Sequence, residues 1–297
     1  MELIVQPTDG LKPILTIVEE AKSAIDIAIF RFDLKPLEKA LEAAVKRGVK
    51  VRALIAHTNS GGDKRLRALE LRMLEAGVTV TRTADDLARY HAKIMIVDRE
   101  ELHVYGFNFT AIDFKSRSFG VVARDRKVVQ EALRLFEADV SRQEFEPTGE
   151  NLVVSPENAR EQLATFLKRA KKSLAIWDPK VSDPGMTRIL SQRAKAGVDI
   201  RVLGKVSKRA GDVRVQKMPN ARLHVRAIVR DGEEVFVGSQ SLRALELDGR
   251  REVGLFSKEA KVVKGIMEVF ESDWAQTDLG QKELKAAEKE IALAEAG

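Results

Sequence analysis

The sequence holds no cysteine. That excludes disulfides, a thiol nucleophile and cysteine-ligated zinc, and it fits a cytoplasmic protein. No run of 18 apolar residues is present, so no segment reads as a membrane-spanning helix, and any contact with an anionic membrane would be peripheral. The opening stretch, MELIVQPTDG, has neither the basic nor the apolar part of an export signal. Histidine is scarce, with four copies, and aromatics make up only 5% of the chain. So few rings argue against an extended base-stacking platform. No cysteine–histidine cluster or carboxylate-rich loop offers a metal site, so no metal and no other cofactor is expected.

What is present is a chain of 297 residues, 44% hydrophobic and 32% charged, the profile of a globular protein with one large domain or two ordinary ones. The net charge is +6 and the pI about 9.4. That excess favours polyanions: nucleic acid, anionic lipid headgroups or phosphorylated small molecules.

The chain is organised around Tyr90 to Thr110, YHAKIMIVDREELHVYGFNFT. His91, Lys93 and Asp98 stand in the order H-x-K-x4-D, and AKIMIV reads as a buried strand. Side chains two apart on a strand share a face, so His91 and Lys93 are expected to point the same way. DREE then turns, and LHVYGF returns as a second strand, leading to Asn108 and Thr110. The arrangement occurs again. His224, Arg226, Asp231 and Ser241 each lie 133 positions after His91, Lys93, Asp98 and Asn108. Two of the four histidines therefore occupy equivalent places.

The remainder repeats as well. Helices are expected at 11–22, 34–47, 64–76 and 127–140, with strands at 24–32, 49–56 and 78–83. HTNSGGD, 57–63, reads as a loop. After a linker at 143–150, a second round gives helices at 157–172 and 187–196 and strands at 173–178 and 198–204. AKSAIDI (21–27) aligns with AKKSLAI (170–176). The fold expected is α/β: two tandem, duplicated α/β/α units over 1–145 and 151–275, then a charged helical tail over 276–297.

A histidine beside a lysine suits phosphate chemistry: imidazole titrates near neutrality, and a fixed cation holds non-bridging oxygens. The doubled motif resembles that of the phospholipase D superfamily, over roughly Leu3 to Trp274, with bacterial phospholipase D and cardiolipin synthase proteins as the similar branch. The resemblance implies mixed sheets packed around one shared active site, and a monomer, since both motifs are in one chain. It implies His91 as a nucleophile forming a phosphohistidine and His224 as general acid and base. Lys93, Arg226, Asn108 and Ser241 would hold the phosphate, and no metal is implied.

In that superfamily an acidic residue about a dozen positions past the asparagine reaches across to the other half's histidine. Glu252 stands there in the second half, so it should orient His91. The first half has Ser118 instead, which leaves His224 without that carboxylate; Asp113 is a candidate substitute. Asp98, Asp231, Thr110 and Ser239 are expected behind the phosphate-holding groups, the two aspartates as turn residues. Phe114 and its loop are candidates for the substrate entrance, and His57 and His103 are read as structural. The function expected is a metal-independent phosphodiesterase, with phospholipid headgroup hydrolysis or phosphatidyl transfer preferred. A nuclease is the alternative, and a non-catalytic polyanion-binding module ranks third.

Overall fold

The computed structural model describes residues 1–59, 63–207 and 210–295. The loop expected at 57–63 and the last two residues of the tail lie in part outside them.

The first half runs β1 (Glu2–Gln6), α1 (Lys12–Glu20), β2 (Ala24–Ile29), α2 (Lys35–Lys46), β3 (Lys50–Ile55), α3 (Asp63–Glu75) and β4 (Thr79–Arg82). It continues with β5 (Arg89–Tyr90), β6 (Ile94–Val97), β7 (Glu101–Tyr105), α4 (Ala111–Phe114), β8 (Ser118–Ala123) and α5 (Arg126–Ser141). The second half runs β9 (Leu152–Ser155), α6 (Ala159–Lys168), β10 (Ser173–Val181), α7 (Pro184–Lys195), β11 (Asp199–Val206) and β12 (Arg214–Gln216). It ends with β13 (Arg226–Arg230), β14 (Glu234–Gly238), α8 (Ala244–Asp248), β15 (Arg250–Ser257), α9 (Ala260–Ala275) and α10 (Asp278–Glu295).

Local chemistry sets the breaks. Pro36 sits in the first turn of α2, where a missing N–H costs nothing, and Gly48 follows the helix at φ 89°, a conformation that glycine adopts freely. The Asp125 carboxylate caps α5 by accepting from the Lys127 and Val128 amides, both at 3.0 Å.

The first sheet has the order β1-β8-β7-β6-β2-β3-β4 and the second β12-β11-β10-β13-β14-β15, with parallel and antiparallel pairs in each. One hydrophobic cluster joins the halves. It contains Ile94, Ile96 and Val104 of the first sheet, Ala227, Val229 and Val237 of the second, and the apolar faces of α5 and α9. Two further clusters lie on the outer side of each sheet.

Buried ion pairs repeat the duplication across that junction. Arg117 meets Asp273 at 2.9 Å, and Arg251 meets Asp139 at 3.0 Å, each arginine paired with an aspartate of the other half. Burying such a charge is costly unless it is matched, so these pairs favour one docking geometry.

Several expectations need amendment. Strands β1 and β9 and helix α9 carried no sequence prediction, and the strand expected over 92–97 is shorter. β6 begins only at Ile94, so His91 and Lys93 are not neighbours on a strand face. Phe114, a candidate for the entrance, is partly buried and packs edge-on against Phe107 of the first half's core, 5.1 Å between centroids. Among the described residues no helix is long and apolar enough to cross a membrane.

Candidate active site

His91 sits where the chain changes sheets. Arg89 and Tyr90 pair in parallel with Arg250 and Arg251 of the second half, and the His91 amide donates to the Arg251 carbonyl at 2.8 Å. Three residues later the chain joins the first sheet as β6. The second half mirrors this. Leu223 bridges to Arg117 of the first half, the His224 amide donates to the Arg117 carbonyl at 3.0 Å, and β13 begins at Arg226. Each histidine is therefore fixed by backbone from the opposite half.

Around His91 the site is dense. Both Glu252 carboxylate oxygens lie against Nδ1, at 2.8 and 2.9 Å. This acceptor assigns the ring proton to Nδ1 and leaves the Nε2 lone pair available. Lys93 Nζ stands over the ring, 2.8 Å from Nδ1 and 3.1 Å from Nε2, and donates to the His91 carbonyl at 2.7 Å. Phe30 packs edge-on against the imidazole at 4.5 Å. Glu252 is fully buried, and His91 retains 8% exposure.

Burial pushes His91 well below the usual imidazole range, and Lys93, Arg226, Arg250 and Arg89 push in the same direction. Burial also lowers Lys93 to about 7, with Glu252 opposing and Arg226 adding to the shift. The Glu252 carboxyl is raised by burial against the pull of Lys93, the Ser239 hydroxyl and Arg226. In the free site His91 is thus an uncharged base in a pocket of excess cation, which suits a nucleophile aimed at an anion.

Around His224 the site is looser. The Asp113 carboxylate lies 3.4 Å from Nδ1, beyond ordinary hydrogen-bond length, and Nδ1 has no hydrogen-bond partner among the described residues. Asp113 instead accepts from Asn108, at 2.6 Å from Nδ2 and 3.0 Å from the amide, and from Arg222 at 2.6 Å. Burial lowers His224 as well, Arg226 adds to this, and Asp113 opposes it. Arg226 donates to the His224 carbonyl at 3.0 Å and to the Ser241 hydroxyl at 3.3 Å. The Lys93–His91 and Arg226–His224 carbonyl contacts are thus the same contact made twice.

The other predicted residues are placed as follows. Ser118 is fully buried, and its hydroxyl has no hydrogen-bond partner among the described residues; the same holds for Thr110 Oγ1. The Ser239 hydroxyl accepts from the Val253 amide at 3.2 Å beside Glu252. Asp98 and Asp231 are turn residues as expected, but their carboxylates do not stand behind the phosphate-holding groups. Each sits at the far end of its hairpin strand, at φ 53° and 56°, and its carboxylate is taken up by backbone amides. Asp98 accepts from Lys22, Ser23 and Ala24, and Asp231 from Lys171, Lys172 and Ser173, so both fasten a turn to a strand start. His103 is fully buried within reach of Glu101, and His57 lies 3.9 Å from Asp85.

Sequence reasoning missed Arg222, Arg250, Phe30 and Asp178. Asp178 is buried and accepts from the Leu242 amide at 2.7 Å, behind Ser241 and Arg226. A signal existed for Arg222: it stands two residues before His224, as Arg89 does before His91.

Two matched α/β units that exchange backbone and carboxylates at a pair of histidines define a duplicated fold of the phospholipase D type, in a superfamily that acts on phosphodiesters. The chain belongs to the family described as cardiolipin synthase, PLD-like domain, whose profile matches residues 14–140 and 163–274. Similar solved structures include the phosphatidylserine synthase of Haemophilus influenzae Rd KW20, at TM-score 0.72 and 11% identity, covering 99% of this chain and 93% of that one. Polyphosphate kinase from Porphyromonas gingivalis matches at TM-score 0.74 and 19% identity over 91% of this chain; the chain spans 46% of that protein's length. Nuc from Salmonella typhimurium, a phospholipase D family member, matches half of this chain at TM-score 0.44 and 23% identity. Such identities speak for the fold alone. No curated protein matches the sequence.

Proposed function

We propose that the chain is a phosphodiesterase that works through a phosphohistidine on His91. The observation that carries this reading is the reciprocal pairing of each histidine with a carboxylate of the other half, His91 with Glu252 and His224 beside Asp113, with Lys93 and Arg226 among them. His91 Nε2 attacks phosphorus, and the bond to the leaving oxygen breaks as His224 delivers a proton to it. His224 then takes a proton from water or an alcohol, whose oxygen attacks phosphorus and releases His91 Nε2. Lys93 and Arg226 neutralise the non-bridging oxygens, and Ser241 and the second N–H of Asn108 add neutral donors. His224 is uncharged in the free site, so the acid step needs the bound phosphate, whose negative charge restores its affinity for a proton.

Phospholipid is the preferred substrate. Ile112 on α4 and Leu245 on α8 hold equivalent places in the two halves and are 53% and 42% exposed. They follow Asn108 and Ser241, with Lys115 and Arg243 nearby in sequence. Paired apolar tips among cations suit contact with the surface of an anionic bilayer. The test is release of headgroup from phosphatidylglycerol in mixed micelles, beside turnover of bis(p-nitrophenyl) phosphate. Both activities should vanish in His91→Asn. Cleavage of single-stranded DNA with no headgroup release would replace this reading with the nuclease.

A further inference from the structure

An exposed arginine reaches the looser side of the site. Arg222 is 45% exposed at its side chain, yet it holds Asp113 at 2.6 Å and the Ser116 hydroxyl at 3.0 Å. The oxygen it takes, Asp113 Oδ1, is the one that lies 3.4 Å from His224 Nδ1. His224 is itself buried, and among the described residues Nδ1 has no hydrogen-bond partner. A buried imidazole nitrogen with an unclosed contact to a carboxylate, and an arginine occupying that carboxylate from the solvent side, form a competition for one acceptor.

Arg222 stands on the His224 side, where the proposed reaction releases its alcohol. A guanidinium with a free edge can bind phosphate bidentately, whereas Arg222 meets Asp113 through a single oxygen. An anionic group on the leaving alcohol would therefore engage Arg222 and loosen its hold on Asp113. The freed Oδ1 then closes on His224 Nδ1, which orients the ring and raises its basicity. Arg89, at the equivalent place before His91, has no carboxylate within ion-pair distance among the described residues. Arg222 thus differs from its counterpart in having something to release.

We propose that Arg222 is the specificity-determining ligand for a second phosphate carried on the leaving group, and that binding it transfers Asp113 from Arg222 to His224. This rests on the reading of the site as a phosphodiesterase. The shared chemistry is an alcohol bearing a phosphate monoester, whether from a lipid such as phosphatidylglycerol phosphate or from an oligonucleotide such as d(TpTp).

Calorimetric titration tests it without requiring turnover. Pyrophosphate should bind the whole chain at least about tenfold more tightly than orthophosphate, and Arg222→Met should reduce that ratio below about threefold, with Arg222→Lys between. The His224 Nδ1 nitrogen resonance should move on adding pyrophosphate to the wild type and stay in place in Arg222→Met. Equal affinities in the wild type, or a preference surviving in Arg222→Met, would overturn the proposal. Competition separates the sources: phosphatidylglycerol phosphate micelles or d(TpTp) should displace pyrophosphate better than phosphatidylglycerol or d(TpT), and failure of both pairs counts against it. Missing His91-dependent turnover with the binding pattern intact would bring down the reaction class alone.

Discussion

The two histidines sit in copies of one unit, yet their surroundings differ in rigidity. His91 has both oxygens of a fully buried glutamate on Nδ1 and a buried lysine over its ring. His224 has a carboxylate at arm's length, already engaged by an amide and an arginine. The halves differ at Ser118, Arg226 and Ser241, and of these Arg226 contacts both the His224 carbonyl and the Ser241 hydroxyl. A nucleophile needs one fixed tautomer and a defined direction of attack. An acid and base must gain and lose a proton in each cycle, so a partner that can come and go suits it.

Breaking each side separately should expose that difference. The largest effect is expected from His91→Asn, which should cost on the order of 10⁴-fold or more in turnover and abolish phosphoenzyme. His224→Asn should instead let an acid-labile phosphohistidine accumulate from bis(p-nitrophenyl) phosphate, because p-nitrophenolate leaves unaided but water is no longer activated. Mass spectrometry of quenched enzyme reads both, and equal loss of phosphoenzyme in the two variants would reverse the assignment.

The carboxylates should follow in order. Glu252→Gln removes the acceptor that fixes the His91 tautomer and should cost roughly 10² to 10⁴-fold in kcat with either leaving group. Asp113→Asn should cost about tenfold, and only for alcohol leaving groups. Its pH profile carries the sharper signature. Lys93, Arg226 and Arg222 all lower His224, and Asp113 is the group that raises it. Removing that carboxylate lowers His224 further, so the loss of activity towards high pH should move to lower pH. With p-nitrophenolate as the leaving group, which needs no acid, the loss towards high pH should not move.

The sequence register exposed most of this comparison before any coordinates. The spacing of 133 residues picked out both histidines, and the single carboxylate at Glu252 foretold an unequal pair. What stayed hidden is what depends on strand exchange. β5 is two residues long and pairs only with the other half, so no local periodicity marks it. For Arg222 the register marked the position but not the contact: its partner, Asp113, comes from the other half on a helix of four residues. Asp98 and Asp231 were legible as turn residues from their place at the start of each hairpin turn, and positive φ with three backbone amides on each carboxylate makes them turn fasteners.

The mildest prediction concerns stability, and it separates Lys93 from Arg226. Lys93 is buried and lowered to about 7 in the folded chain, while an unfolded lysine titrates near 10.4. Between these values the unfolded chain binds more protons than the folded one, so stability must rise with pH across the window, by up to about 1.4 kcal/mol per unit. Above pH 10 the trend should reverse, because burial raises Tyr90 and Tyr105 and only their unfolded forms would ionise. Urea denaturation between pH 7.5 and 9.5 therefore isolates the lysine. Lys93→Met should flatten the rise there, whereas Arg226→Met should keep a rise but start it at higher pH, since Arg226 adds to the lowering of Lys93. A slope unchanged in Lys93→Met would mean that the ammonium is solvated after all, and that the nucleophilic side is no more tightly packed than the acid side.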